Sequence, residues 1–192
     1  MTERLTFQRK HATGQIVNLG CGDDPVGFGD RATHVDVDEW NLPNFVLAEI
    51  HDLPFLAKSF DTAVLGDVLE HCLDPEGAVK EAARIAKRLV LTIPEELALP
   101  SVGTHVELGL RQRADHYRRL FGLVGTDEEV IVAHKRSTAT FVSSPTSESV
   151  VPHDGHINRF DDAWVARLIE TSAMRVVFFE KSGGYWFALL ED

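Results

Sequence analysis

Residues Ile16 to Asp38, reading IVNLGCGDDPVGFGDRATHVDVD, constrain what this chain can fold into more than any other stretch. An apolar run, Ile16 and Val17 with Leu19, stops at Gly20, Cys21 and Gly22, and a second short run, Val35 with Val37, carries Asp36 and Asp38. A buried strand, a glycine turn and a strand ending in carboxylates is the pattern of a nucleoside site in an open α/β sheet. Gly20 and Gly22 suit a sharp turn approached closely by a ligand, because a Cβ there would obstruct both. Asp36 can accept from both ribose hydroxyls, and a hydrogen bond to a charged acceptor contributes roughly 1.5 to 3 kcal/mol net.

The residues after the turn narrow the ligand. A dinucleotide fingerprint needs G-x-G-x-x-G opening a helix that holds pyrophosphate at its N-terminus. Here the third glycine position is Pro25, and Asp23 and Asp24 put negative charge where phosphate would sit. S-adenosylmethionine keeps the nucleoside, lacks phosphate, and carries a sulfonium and an ammonium that tolerate an acidic rim. The NLGCG turn, the VDVD strand end, DLPF at Asp52 to Phe55, SFD at Ser59 to Asp61 and VLEH at Val68 to His71 together resemble the class I S-adenosylmethionine-dependent methyltransferases. The likeness is closest to abbreviated, type 11-like members and runs well over residues 14 to 94 and loosely over 152 to 190. It implies a Rossmann-like α/β fold with a mainly parallel central sheet, an antiparallel C-terminal hairpin and reduced helices around the second strand. It also implies S-adenosyl-L-methionine as cofactor, with Gly20, Cys21, Gly22, Asp36, Val37, Glu49, Ile50, His51, Gly66 and Asp67 as the binding residues. Glu49 stands where the family places an acid on the adenine edge, usually Asp.

Composition bounds the remaining classes. The 192 residues, 44% hydrophobic, suit one domain with a full core that needs no metal or disulfide staple. A net charge of −11 argues against a general polyanion binder, so nucleic acid is not an expected partner. Two cysteines, Cys21 and Cys72, form neither a disulfide framework nor a C-x-x-C metal pair, which fits a reducing cytoplasm. The N-terminus is too polar for a signal peptide, and no apolar run approaches the roughly 20 residues of a membrane span.

Along the chain, residues 2 to 10 read as a short helix or ordered arm anchored by Leu5 and Phe7. Residues 23 to 33 lack helical periodicity, so the cofactor loop is expected to be held by loop packing, with Phe28 and Trp40 as candidate lids and packing as the other role for Trp40. Phe45 to Ala48 reads as the third strand and Phe60 to Leu65 as the fourth, closing at Gly66 and Asp67. Gly20, Asp36, Glu49 and Asp67 should then gather at the carboxyl ends of the strands, where strand order reverses. His71 is either a general base or a brace for its loop. Asp74 and Pro75 open a helix with a buried stripe of Val79, Ala82, Ala83, Ile85 and Ala86, and Leu89 to Ile93 makes the fifth strand. Residues 97 to 159 are expected to form an inserted cap or lid within a single domain. Toward its end lies a His-containing loop, in which His156 is the better candidate to reach substrate and His153 the other. No metal site is expected. A helix over 161 to 172 and a hairpin, 175 to 181 with 185 to 190, close the chain.

The expected reaction is methyl transfer to an O or N atom of a small-molecule acceptor, with His156 or His71 as base for a hydroxyl. Two other readings are a non-catalytic S-adenosylmethionine-binding partner or regulatory subunit, and an aminopropyl transferase. The latter lacks a second acidic block beyond Asp67 and Glu70. The acceptor and the oligomeric state are not legible.

Overall fold

The computed structural model describes residues 2–72, 74–95, 158 and 160–192. They fall into two units. The first comprises Met1–Leu69, Asp74–Glu95 and Phe160–Asp192; the second comprises Glu70–Leu73 and Glu96–Arg159. The expected cap over 97 to 159, with His153 and His156, lies outside the described residues.

The first unit is built on seven strands: β1 (Ile16–Leu19), β2 (Ala32–Asp36), β3 (Phe45–Leu47), β4 (Thr62–Gly66), β5 (Arg88–Pro94), β6 (Arg175–Ser182) and β7 (Tyr185–Glu191). They form one sheet in the order β3-β2-β1-β4-β5-β7-β6. β1 to β5 pair in parallel, whereas β7 is antiparallel to both β5 and β6. The antiparallel strand of the C-terminal hairpin therefore lies inside the sheet, and β6 takes the edge. Leu19 is in register with Val35 on one side and Leu65 on the other, which sets Gly20, Asp36 and Gly66 at adjoining strand ends. The central strands are continuous apolar runs because both faces are covered: every residue of β1 is buried, as are Leu89 to Ile93 of β5.

Three helices cover the sheet among the described residues: α1 (Glu3–His11), α2 (Pro75–Ile85) and α3 (Asp162–Thr171). The expected cap of α2 is in place, the Asp74 carboxylate accepting from the Gly77 amide at 2.8 Å, a contact of about 1 kcal/mol. The expected stripe Val79, Ala82, Ala83, Ile85 and Ala86 is buried in full. α3 is capped the same way by Asp161 on the Trp164 amide at 2.7 Å, and buries Val165, Leu168 and Ile169.

Between β1 and β2 there is one short 3-10 turn, Gly29–Arg31, in place of a long helix. The loop is pinned by Asp24, whose two carboxylate oxygens accept from Gly27 and Gly29, and by Arg9, which donates to the Val26 carbonyl at 2.6 Å. That folding turns Phe28 inward onto Ala12, Ile16, Val26 and Ala32, where it is buried. Phe28 is thus a core residue and not a lid, a correction that follows from the two hooks holding its loop against the sheet. Trp40 is 38% exposed.

Candidate functional site

The glycine turn after β1 has the left-handed backbone the sequence requires, with φ of 66° at Gly20 and 50° at Gly22. The two glycines serve different ends. A Cβ on Gly20 would lie 2.8 Å from the Val68 Cβ, so this position is glycine because the loop after β4 packs directly on the turn. Among the described residues, a Cβ on Gly22 would meet nothing within 4 Å, so on their side Gly22 borders open space. Between them, Cys21 is buried, and its thiol is pushed up to about 12, first by burial and then by the Asp36 charge. It is an inert packing residue, contributing its backbone to the turn.

Asp36 closes this turn from β2. One carboxylate oxygen accepts from the Gly22 amide at 2.9 Å and the other from the Asp38 amide at 3.1 Å. A carboxylate offers about four acceptor positions, so the two amides fix its orientation and leave room for two further donors. Open space at Gly22 beside an oriented, half-used carboxylate is what a ribose diol fits. Val37 comes directly after, outside β2.

Glu49, Ile50 and His51 form the turn after β3. Ile50 is buried, and the Glu49 carboxylate meets His51 Nδ1 at 3.0 Å. His51 Nε2 reaches the Asp74 carbonyl at 2.7 Å, joining this turn to the start of α2. Burial, the largest influence on the ring, lowers its pKa, but the hydrogen bonds to Glu49 and Asp74 and the charges of both outweigh it, leaving the ring above its ordinary 6.5.

At the end of β4, Asp67 sits at φ 54° with its amide on the Thr92 carbonyl at 3.0 Å. Its carboxylate accepts from the Thr92 hydroxyl at 3.1 Å and forms an ion pair with Arg4 of α1. Thr92 in turn accepts from Gln8 of α1 at 2.6 Å. Gln8 is 1% exposed and fills the space above Gly66, where a Cβ would come within 2.8 Å of its amide carbon. The glycine at 66 therefore answers to Gln8. Arg4, Gln8 and Thr92 were not legible as site residues: α1 is polar apart from Leu5 and Phe7, and nothing in its spacing marks one amide as buried.

In the second unit, Asn158 joins two distant chain segments, its amide donating to the Glu70 carbonyl at 2.9 Å and its side chain to the Cys72 carbonyl. His71 ends the 3-10 turn Leu69–His71 and is half-buried. No group of three or more candidate metal ligands occurs among the described residues.

A mainly parallel sheet that reverses order between β1 and β4, with an oriented carboxylate beside an open glycine turn at that point, is a doubly wound α/β arrangement. Residues 26–90 match the methyltransferase domain family. That match spans about a third of the chain, over the stretch that runs from the cofactor-loop region through β5's start. No curated protein matches the sequence. Among solved structures, the chain is similar to an S-adenosylmethionine-dependent methyltransferase of Thermotoga maritima described as a possible histamine N-methyltransferase. The identity is 15%, the match covers 98% of this chain and 86% of that one, and the TM-score is 0.59. A methyltransferase of Aquifex aeolicus matches at 12% identity, covering 98% and 88% of the two chains, with TM-score 0.54. One of Methanosarcina mazei matches at 15%, covering 96% and 95%, with TM-score 0.52. At these identities the likeness to each structure is one of fold.

Proposed function

We propose that this chain transfers a methyl group to an oxygen or nitrogen atom of a small-molecule acceptor, holding S-adenosylmethionine across the carboxyl ends of β1, β2, β3 and β4. Asp36 takes the ribose hydroxyls, Glu49 with the Ile50 and His51 backbone takes the adenine edge, and the Gly20 to Gly22 turn and Gly66 to Asp67 line the methionine part. The observation that carries this reading is the Asp36 carboxylate, oriented by two backbone amides and still able to accept two donors beside open space.

The sulfonium supplies an activated methyl group when the cofactor is bound. What remains for the protein is to hold the acceptor atom in line at about 3 to 3.5 Å, an orientation effect of up to roughly 7 to 11 kcal/mol. An amine acceptor needs no base beyond arriving unprotonated. A hydroxyl acceptor calls for one, and His71 and His156 are the candidates. The acidic balance of −11 supports a small-molecule acceptor over nucleic acid. Neither Cys21 nor Cys72 is in a disulfide, which supports a reducing compartment such as the cytoplasm. No helix among the described residues is long and apolar enough to cross a membrane.

Calorimetric titration with S-adenosylmethionine and S-adenosylhomocysteine tests the reading, alongside Asp36→Ala. Micromolar binding that weakens by at least about tenfold in the variant is the expected result, from loss of two charge-assisted hydrogen bonds. No binding of either ligand by the wild type would overturn it.

A further inference from the structure

Resting on the cofactor reading above, we propose that His51 is a positioning residue that holds Glu49 ready for the cofactor only while a proton stands between the two, so that cofactor affinity falls as that proton is lost. The geometry requires it. Nε2 lies 2.7 Å from the Asp74 carbonyl, which has no proton to give, so Nε2 carries its own. Nδ1 lies 3.0 Å from a Glu49 carboxylate oxygen. With a second ring proton, that contact is a charge-assisted hydrogen bond. Without it, a nitrogen lone pair faces a carboxylate lone pair at the same distance, and the Glu49 side chain must turn away.

The ring cannot escape this by rotating. Nε2 is tied to the start of α2, and a Cβ on Gly77 would lie 3.2 Å from His51 Cδ2, so the helix packs closely on the ring. Charged groups that face it include Glu49 on its own turn, Asp74 at the α2 cap and Glu81 on α2. All three are acids, and each favours the protonated ring. Glu81 is held first by Arg84, and its carboxylate also accepts from the Leu53 amide at 3.0 Å, which fixes the far side of the same turn. His51 thereby links three things: the acid proposed for the adenine edge, the turn that carries it, and the helix behind.

Linkage sets the sign. The ring's pKa stands above its ordinary 6.5, so the pair is intact while the pH lies well below that raised value. As pH rises through the raised value, binding must recover the missing proton, and the dissociation constant climbs by up to about tenfold per pH unit.

The test is calorimetric titration of the full chain with S-adenosylhomocysteine between about pH 6 and 9, run beside His51→Leu and Glu49→Gln. The ligand's own amine titrates in this range, so the wild-type slope minus the variant slope reads the His51–Glu49 pair. The expected outcome is a wild-type affinity that falls with rising pH, and both variants weakened about tenfold at low pH with that part of the slope gone. Glu49→Gln keeps the shape of the turn, so it decides the matter should His51→Leu not fold. Binding with the same slope in all three proteins, or a His51→Leu affinity equal to wild type at low pH, overturns the inference and leaves the cofactor reading standing. No binding by the wild type at any pH overturns both.

Discussion

Gly20→Ala should cost the fold more than any other single methyl group added to the glycine turn, for two reasons that an experiment can separate. The backbone at 66° is a left-handed conformation that costs a residue with a Cβ about 1 to 2 kcal/mol. The new methyl would also be driven against Val68, 2.8 Å from its Cβ, and forcing extra volume into a packed site costs roughly 1 to 3 kcal/mol. Together these give a loss of roughly 2 to 5 kcal/mol, or a melting midpoint lowered by roughly 4 to 20 °C for a chain of this length. Gly22→Ala is the control. Its φ is 50° but its Cβ enters open space, so only the backbone contribution remains. Chemical denaturation of Gly20→Ala, Val68→Ala and the double variant completes a cycle in which Val68→Ala should return about 1 to 3 kcal/mol of the Gly20→Ala loss. Equal losses for Gly20→Ala and Gly22→Ala, or a cycle that closes to zero, would refute the separation of a packing glycine from an access glycine.

The same kind of contact fixes two further outcomes. Alkylation of the native protein near pH 8 should leave Cys21 unlabelled, because a thiol pushed up to about 12 presents a thiolate fraction of only about one part in ten thousand; modification of Cys21 at the rate of an ordinary free thiol while the fold stays intact would show the burial to be wrong. Thr92→Val should lower stability by about 1 to 3 kcal/mol in denaturant unfolding despite conserving volume, since it strips the Gln8 amide and one Asp67 oxygen of a partner at once; a neutral result would mean that Gln8 and Asp67 find other partners.

The parts of the fold that could be read from sequence were those fixed by short-range chemistry. The apolar runs of β1, β4 and β5, the Asp74 cap and the glycine-centred hairpin after β6 each carry a local signal, and each forms within a residue or two of where the pattern puts it. The place of Asp36, ending β2 beside the glycine turn, was legible from the two short apolar runs on either side of that turn. Phe28 was misread because an aromatic in a glycine-rich loop looks the same whether it covers a ligand or the core. What decides is where Asp24 and Arg9 send their hydrogen bonds, one of them from a helix 17 residues away. The reason for Gly66 was hidden in the same way, since the group that needs its missing Cβ comes from α1.

That last pairing explains how so polar a helix comes to be fixed on the sheet. α1 has little apolar surface to bury beyond Leu5 and Phe7, which pack on the cluster around Ile16 and Phe28. Phe7 also meets Phe187 edge-on at 5.2 Å. Gln8 adds a buried hydrogen bond to Thr92, and burying its amide is favourable only because a partner is supplied; an unsatisfied amide there would cost about 1 to 3 kcal/mol. The room for it exists only because residue 66 has no side chain, and Thr92 then passes the contact on to Asp67, where Arg4 completes the charge balance. The end of β4 is thus shaped from both sides of the domain match: Gly66 and Asp67 lie within residues 26–90, while Arg4, Gln8 and Thr92 lie outside them. A carboxylate held by a hydroxyl and a guanidinium, on a residue whose own amide is tied to the Thr92 carbonyl, has little freedom left, so the acid at the proposed methionine end is oriented in advance by a helix that the matched domain does not include.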